Sequence, residues 1–131
     1  MAGEVILIVE DNEKNLKLLL DVLQFNGYQT VEATTAEEGL EIARSQVPDL
    51  ILMDIQLPGM DGIAAFRLLR ADPVTERIPV IAVTASAMTL DRKKIMEAGF
   101  EGYQAKPIKV KDFKEEVRRV LDVRLGRRNP G

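Results

Sequence analysis

Five short apolar or β-branched runs alternate along the chain with segments whose apolar positions recur every three or four residues. Val5-Ile6-Leu7-Ile8-Val9, Leu50-Ile51-Leu52-Met53 and Val80-Ile81-Ala82-Val83 are continuously apolar, the pattern of strands covered on both faces. Gln29-Thr30-Val31-Glu32-Ala33 alternates and Tyr103-Gln104-Ala105 is short and mixed, so both read as edge strands. Between them, Leu16, Leu19, Leu20 and Leu23 form one helical stripe that Gly27 stops. Thr35-Ala36-Glu37-Glu38 opens a second helix as a capping box, with Ala36, Leu40, Ala43 and Val47 on one face and Pro48 at its end. Ile63, Phe66 and Leu69 mark a third helix, and Phe113, Val117, Val120 and Leu121 mark the last. The stretch from Asp91 to Ala98, stopped by Gly99, has the thinnest apolar face of the five and is expected to dock least firmly.

Strand–helix alternation predicts an α/β fold: a parallel sheet covered on both faces and joined by right-handed crossovers. With strands 1, 3 and 4 central and strands 2 and 5 at the edges, the order is 2-1-3-4-5, a flavodoxin-like doubly wound sheet of five βα units. Its order reverses between strands 1 and 3, and the crevice at their C-terminal ends is where a ligand belongs. The 131 residues suit one domain, assigned to residues 1–123, with residues 124–131 as a basic flexible tail.

Composition narrows the chemistry. The absence of cysteine removes disulfides, thiolate nucleophiles and zinc fingers, and the absence of histidine removes the Ser-His-Asp triad and most catalytic zinc sites. Polar chemistry is left to carboxylates, which favour hard cations bound through oxygen. Residues 1–117 carry 13 Lys or Arg against 20 Asp or Glu, a balance that argues against nucleic-acid binding. Arg118, Arg119, Arg124, Arg127 and Arg128 face only Asp122 over the last stretch, which reads as a solvated helix end and tail. No apolar run is long enough to span a bilayer and no secretory leader is visible, so the expected address is the cytoplasm, without membrane attachment.

The residues that follow the strands carry the candidate site. Strand 1 runs into Glu10-Asp11, strand 3 into Asp54, strand 4 into Thr84 and strand 5 into Lys106-Pro107. Three carboxylates, a hydroxyl and an ammonium thus converge on one crevice. Carboxylates so close would force one of them to take a proton unless a cation joined them. Mg2+, with Mn2+ as a substitute, resolves that conflict, since it accepts oxygen ligands from one or two carboxylates beside a phosphoryl group. Lys106 adds a fixed positive charge and Thr84 a donor for phosphoryl oxygens, and Asp54 is the best nucleophile because its central strand places it between the acid pair and the lysine. Met53, Met60, Met88 and Met96 read as core or loop fillers, and Asp61-Gly62 as the turn entering the third helix.

The runs Ile6-Leu7-Ile8-Val9-Glu10-Asp11-Asn12, Asp49-Leu50-Ile51-Leu52-Met53-Asp54-Ile55-Gln56-Leu57-Pro58, Pro79-Val80-Ile81-Ala82-Val83-Thr84-Ala85 and Lys106-Pro107 make the chain resemble a CheY-like response-regulator receiver domain of two-component signalling. The likeness spans residues 4 to 121 and is greatest to single-domain DivK-type regulators and to receivers of hybrid histidine kinases. It implies that Asp54 is the phosphoacceptor and that Glu10, Asp11, Asp54 and the Gln56 main-chain carbonyl hold Mg2+. It further implies that Thr84 and Lys106 bind the phosphoryl oxygens, that Tyr103 is an aromatic switch coupled to Thr84, and that the peptide before Pro107 is cis. The first acid is Glu rather than the commoner Asp, and its longer side chain leaves direct and water-mediated ligation both open. The implied partners are a sensor histidine kinase or histidine phosphotransferase and a downstream protein target. The latter would be contacted through the face of the fourth helix, fifth strand and fifth helix, by a monomer or weak dimer. The chain is then not an enzyme beyond assisting its own phosphorylation and dephosphorylation.

Three alternatives differ in their signatures. A receiver module excised from a hybrid kinase or larger regulator would share the site, although a stand-alone regulator is the reading we adopt. An aspartyl-nucleophile phosphatase usually carries a second acid two residues after the nucleophile, where this chain has Gln56. A flavodoxin-like flavin binder needs an amide-rich loop after strand 1, where Glu10-Asp11-Asn12-Glu13 would repel phosphate.

Overall fold

The computed structural model describes residues 3–85 and 89–124. The elements run β1 (Val5–Val9), α1 (Glu13–Phe25), β2 (Gln29–Ala33), α2 (Ala36–Gln46), β3 (Leu50–Asp54), α3 (Gly62–Ala71), β4 (Val80–Thr84), α4 (Thr89–Ala98), β5 (Gly102–Ala105) and α5 (Val110–Arg124). All strand pairs are parallel and the order is β2-β1-β3-β4-β5, as the alternation of patterns requires. Met88 and residues 125–131 of the basic tail lie outside the described residues.

The period-2 geometry of the strands splits the core in two. Leu7, Val9, Ile51, Met53, Val80 and Ala82 meet Ala36 and Ala43 of α2, Phe66 and Leu69 of α3, and Ile95 of α4. On the other face Ile6, Ile8, Leu50, Leu52, Ile81 and Val83 meet Leu16, Leu19 and Leu23 of α1 and Phe113, Val117, Val120 and Leu121 of α5. The three central strands are buried on both faces, which is why their sequences do not alternate.

Helix ends follow local chemistry. Asn12, Thr35 and Asp61 cap α1, α2 and α3, their side chains accepting from the amides of Asn15, Glu38 and Ala64. Capping of α1 therefore falls to Asn12, leaving Glu10 and Asp11 available for other work. Gly27, at φ 87°, turns the chain out of α1 where a side chain would be strained. Among its described side chains α4 buries Ile95, while Met96 is 43% exposed. Met53 is buried in β3 and Met60 packs against the core, both as fillers.

Candidate metal centre at the carboxyl ends of the strands

Register places the site. Val9 pairs with Met53, so Glu10, the next residue of the first chain segment, comes beside Asp54. Asp54 pairs with Val83 and Thr84 with Ala105, which sets Thr84 and Lys106 at the same end of the sheet. Main-chain bonds hold these exits in place: Glu10 N–H donates to Ala33 O (3.0 Å), Ile55 N–H to Val83 O (3.0 Å) and Lys106 N–H to Thr84 O (2.8 Å). The Lys106–Pro107 peptide is cis.

Carboxylate oxygens of Glu10, Asp11 and Asp54 all lie within 4.8 Å of one another. Glu10 and Asp54 are buried, at 1% and 3% relative exposure, whereas Asp11 faces solvent. The Lys106 ammonium lies 2.9 Å from Glu10 Oε1 and donates to Asp54 Oδ2 at 3.1 Å. The Asn12 amide donates to Glu10 Oε2 (3.1 Å) and the Gln56 amide to Asp54 Oδ1 (2.9 Å). One lysine is therefore shared by two buried acids, an arrangement the sequence pattern did not specify.

The electrostatics are strained. Burial, reinforced by the neighbouring Asp54 carboxylate, outweighs Lys106 and the Asn12 amide and pushes the Glu10 carboxyl from 4.5 up to about 7. For Lys106 burial acts downward, but Glu10 and the Asp54 charge overcome it and its pKa rises, so the ammonium keeps its proton. A single ammonium does not fully offset two buried carboxylates. A donor set of three carboxylates, two of them removed from solvent, suits a hard divalent cation with oxygen ligation. Glu10, Asp11 and Asp54 are the residues that would hold it.

Thr84, 2% exposed, completes the end of β4 at the margin of the acid cluster. Tyr103 is half-buried on β5 and packs against the α2–α3–α4 side of the core, with the Arg92 guanidinium 5.5 Å from its ring centroid. Its amide donates to Glu116 of α5 (3.1 Å), which occupies the open edge of β5. The Gln56 side chain is exposed, and the contact this residue makes with the acids is through its amide.

The turn residue Gly62 has a further part. Its amide donates to Ile55 O (2.9 Å), and a Cβ there would run into the Asp54 carbonyl oxygen and lie 2.8 Å from Ile55 Cα. The start of α3 thus seats directly on the main chain of Asp54 and Ile55. The signal was present in the Asp61-Gly62 pair, but it reads equally as an ordinary turn.

Five parallel strands in this order, with an acid cluster and a lysine at their carboxyl ends, define a known class. The chain belongs to the response regulator receiver domain family, whose model matches residues 6–118. It is 46% identical over 116 residues to the polar-differentiation response regulator DivK of Brucella ovis, covering 88% of this chain and 94% of that one. Among solved structures it is similar to the receiver domain of the sensor histidine kinase PA1611 of Pseudomonas aeruginosa, determined with a magnesium ion coordinated in the active site cleft. That likeness has a TM-score of 0.81 at 37% identity over 95% of this chain and 98% of the other. A CheY-like response regulator receiver domain protein of Methanospirillum hungatei matches with a TM-score of 0.84 at 31% identity, over 95% and 98% of the two chains. No helix among the described residues is long and apolar enough to cross a membrane.

Proposed function

We propose that the protein is a phosphoacceptor response regulator of the cytoplasm, taking a phosphoryl group from a phosphohistidine of a sensor kinase or phosphotransferase onto Asp54. One observation carries the reading: the Asp54 carboxylate, buried at the end of the central strand, meets the Lys106 ammonium at 3.1 Å beside two further acids whose oxygens lie within 4.8 Å. A carboxylate oxygen of Asp54 attacks phosphorus, the phosphorus–nitrogen bond breaks, and the electron pair leaves with the imidazole. Lys106 neutralises charge on the transferred oxygens, and the Thr84 hydroxyl donates to one of them. When bound at Glu10, Asp11 and Asp54, with the Gln56 carbonyl as a further ligand, Mg2+ supplies the remaining positive charge for phosphoryl transfer. The acyl phosphate is later hydrolysed at the same site, and with no separate substrate the protein is not an enzyme in the ordinary sense.

Engagement of Thr84 by the phosphoryl group and inward movement of Tyr103 shift a pre-existing equilibrium of the α4–β5–α5 face, through which a downstream protein is contacted. The loop before α4, which would take part, lies outside the described residues over 86–88. The magnesium-bound receiver of PA1611 and the DivK relatives support the reading. The test is intact mass after incubation with acetyl phosphate and Mg2+. Wild type gains one phosphoryl group and Asp54→Asn gains none; equal labelling of the two sinks the assignment.

A further inference from the structure

At the amino ends of β4 and β5, opposite the acid cluster, a groove of about 260 Å3 opens between α5 and the chain entering these strands. Arg77, Arg119 and Arg124 line it, and Pro79, Val120 and Val123 supply an apolar wall, Val123 with 51% of its surface in solvent. Glu101 is the one acid among the lining residues, and its carboxylate is already engaged. It accepts from Arg70 at 2.7 Å and from the Val80 amide at 2.8 Å. Arg119 is pinned by Glu116 (3.0 Å) and by the Glu101 carbonyl oxygen (3.0 Å). Arg77 and Arg124 are exposed and, among the described residues, enter no ion pair. The pattern of the chain reads Arg124 as part of a solvated helix end, but packing of α5 brings it to the same groove as Arg77.

We propose that this groove binds a nucleoside diphosphate, its phosphates on the Arg77 and Arg124 guanidiniums and its base against Pro79, Val120 and Val123. A guanidinium offers a phosphate two parallel N–H donors and offers a planar base its delocalised face. Two uncommitted forks suit two phosphates, and Arg119, already held in place, adds positive charge with little further loss of side-chain freedom. The volume lies at the small end of ligand pockets, which suits a mononucleotide. A bare polyphosphate would leave the apolar wall unused. A nucleic-acid backbone would extend well beyond so short a groove and be repelled by a chain of net charge −3. Arg77 and Pro79 precede β4, whereas Thr84 ends it, so the groove is separate from the phosphoacceptor site and its occupation does not depend on Asp54.

The experiment is fluorescence anisotropy of adenosine diphosphate carrying a methylanthraniloyl group on its ribose, titrated with the full chain. Mg2+ is left out, which keeps the probe's phosphates away from the acid cluster. Saturable binding is expected, displaced by unlabelled adenosine diphosphate, at least about tenfold less well by pyrophosphate, and not by adenosine. The Arg77→Glu/Arg124→Glu pair weakens binding at least about tenfold, and Arg77→Lys/Arg124→Lys, which keeps the charge but not the fork, falls between it and wild type. Both pairs keep the wild-type thermal midpoint, because these side chains are exposed and hold no ion pair. Val123→Asn weakens the nucleotide but not pyrophosphate, and Lys109→Gln/Lys111→Gln, remote from the groove, changes neither. Failure to saturate, equal binding by the charge-reversed pair, or equal displacement by pyrophosphate and nucleotide overturns the proposal. So does tighter binding of an oligonucleotide or of phosphatidylglycerol vesicles than of the probe.

Discussion

At the scale of the residue, the site is governed by a buried glutamate and a glycine. Glu10 has a carboxyl pKa raised from 4.5 to about 7 by burial, so proton binding favours the folded ion-free protein. Its contribution to stability is full below pH 4.5 and is lost as pH rises through 7. Cation binding needs the carboxylate and therefore runs in the opposite direction. Mg2+ affinity, followed by isothermal titration, is expected to fall about tenfold per pH unit below pH 7, with release of close to one proton; a flat profile from pH 6 to 8 would show that Glu10 does not titrate with the ion. Gly62 acts through shape. In Gly62→Ala the new methyl must displace either α3 or the Asp54 main chain, at a cost of about 1–3 kcal/mol in stability. Because the displaced atoms belong to Asp54, Mg2+ affinity and the rate of labelling by acetyl phosphate fall as well, by about tenfold or more. Gly102→Ala is the matching control, since its methyl meets the movable end of Glu116 at 2.5 Å, far from the acids. It loses stability with unchanged Mg2+ affinity.

At the scale of the element, α4 and α5 differ in how they are held. α5 buries Phe113, Val117, Val120 and Leu121, each contributing about 1.5–3 kcal/mol, whereas the described side chains of α4 supply Ile95. Among the described side chains, the helix with the thin apolar face thus buries the fewest. Amides of α4 are expected to exchange with deuterium through local opening, well before those of α5 and the central strands. Exchange of α4 and α5 at one common rate would contradict that ordering. β5 is held differently again, by charged groups at its edge. Glu116 accepts from the Tyr103 amide, Arg119 donates to Glu101 O (3.0 Å), and Arg70 pairs with Glu101 (2.7 Å). The Glu116 contact occupies an edge that would otherwise be open to other strands.

For the molecule as a whole, ion binding would be coupled to folding, because folding confines acids whose ionised forms a divalent cation would compensate. An ion that binds the folded state at a hundred times its dissociation constant adds about 2.7 kcal/mol of stability. Addition of Mg2+ should therefore raise the thermal midpoint, and chelator should restore the lower value. The rise should shrink sharply in Asp54→Asn, which removes one charge from the donor set. Calorimetry that finds the same increment in both proteins would place the ion elsewhere. The same molecule is polarised in charge, acidic over most of the sheet and basic along α4, β5 and α5, so its encounter rates with charged partners should depend on salt.

The linear chain by itself determined a great deal. Continuous apolar runs required strands covered on both faces, helical stripes required their covers, and alternation of the two required a parallel sheet with a switch point between β1 and β3. The residues that follow the strands then had to share one end of that sheet, so Glu10, Asp11, Asp54, Thr84 and Lys106 were legible as a group. Tertiary structure decided what distances decide. It let one lysine serve both Glu10 and Asp54, buried Glu10 deeply enough to carry its carboxyl to about 7 while leaving Asp11 in water, and pressed Gly62 against the main chain of Asp54. Periodicity records which side of an element is apolar. Desolvation, ion pairing and steric contact instead depend on ångström separations between segments far apart in sequence, and only packing sets those.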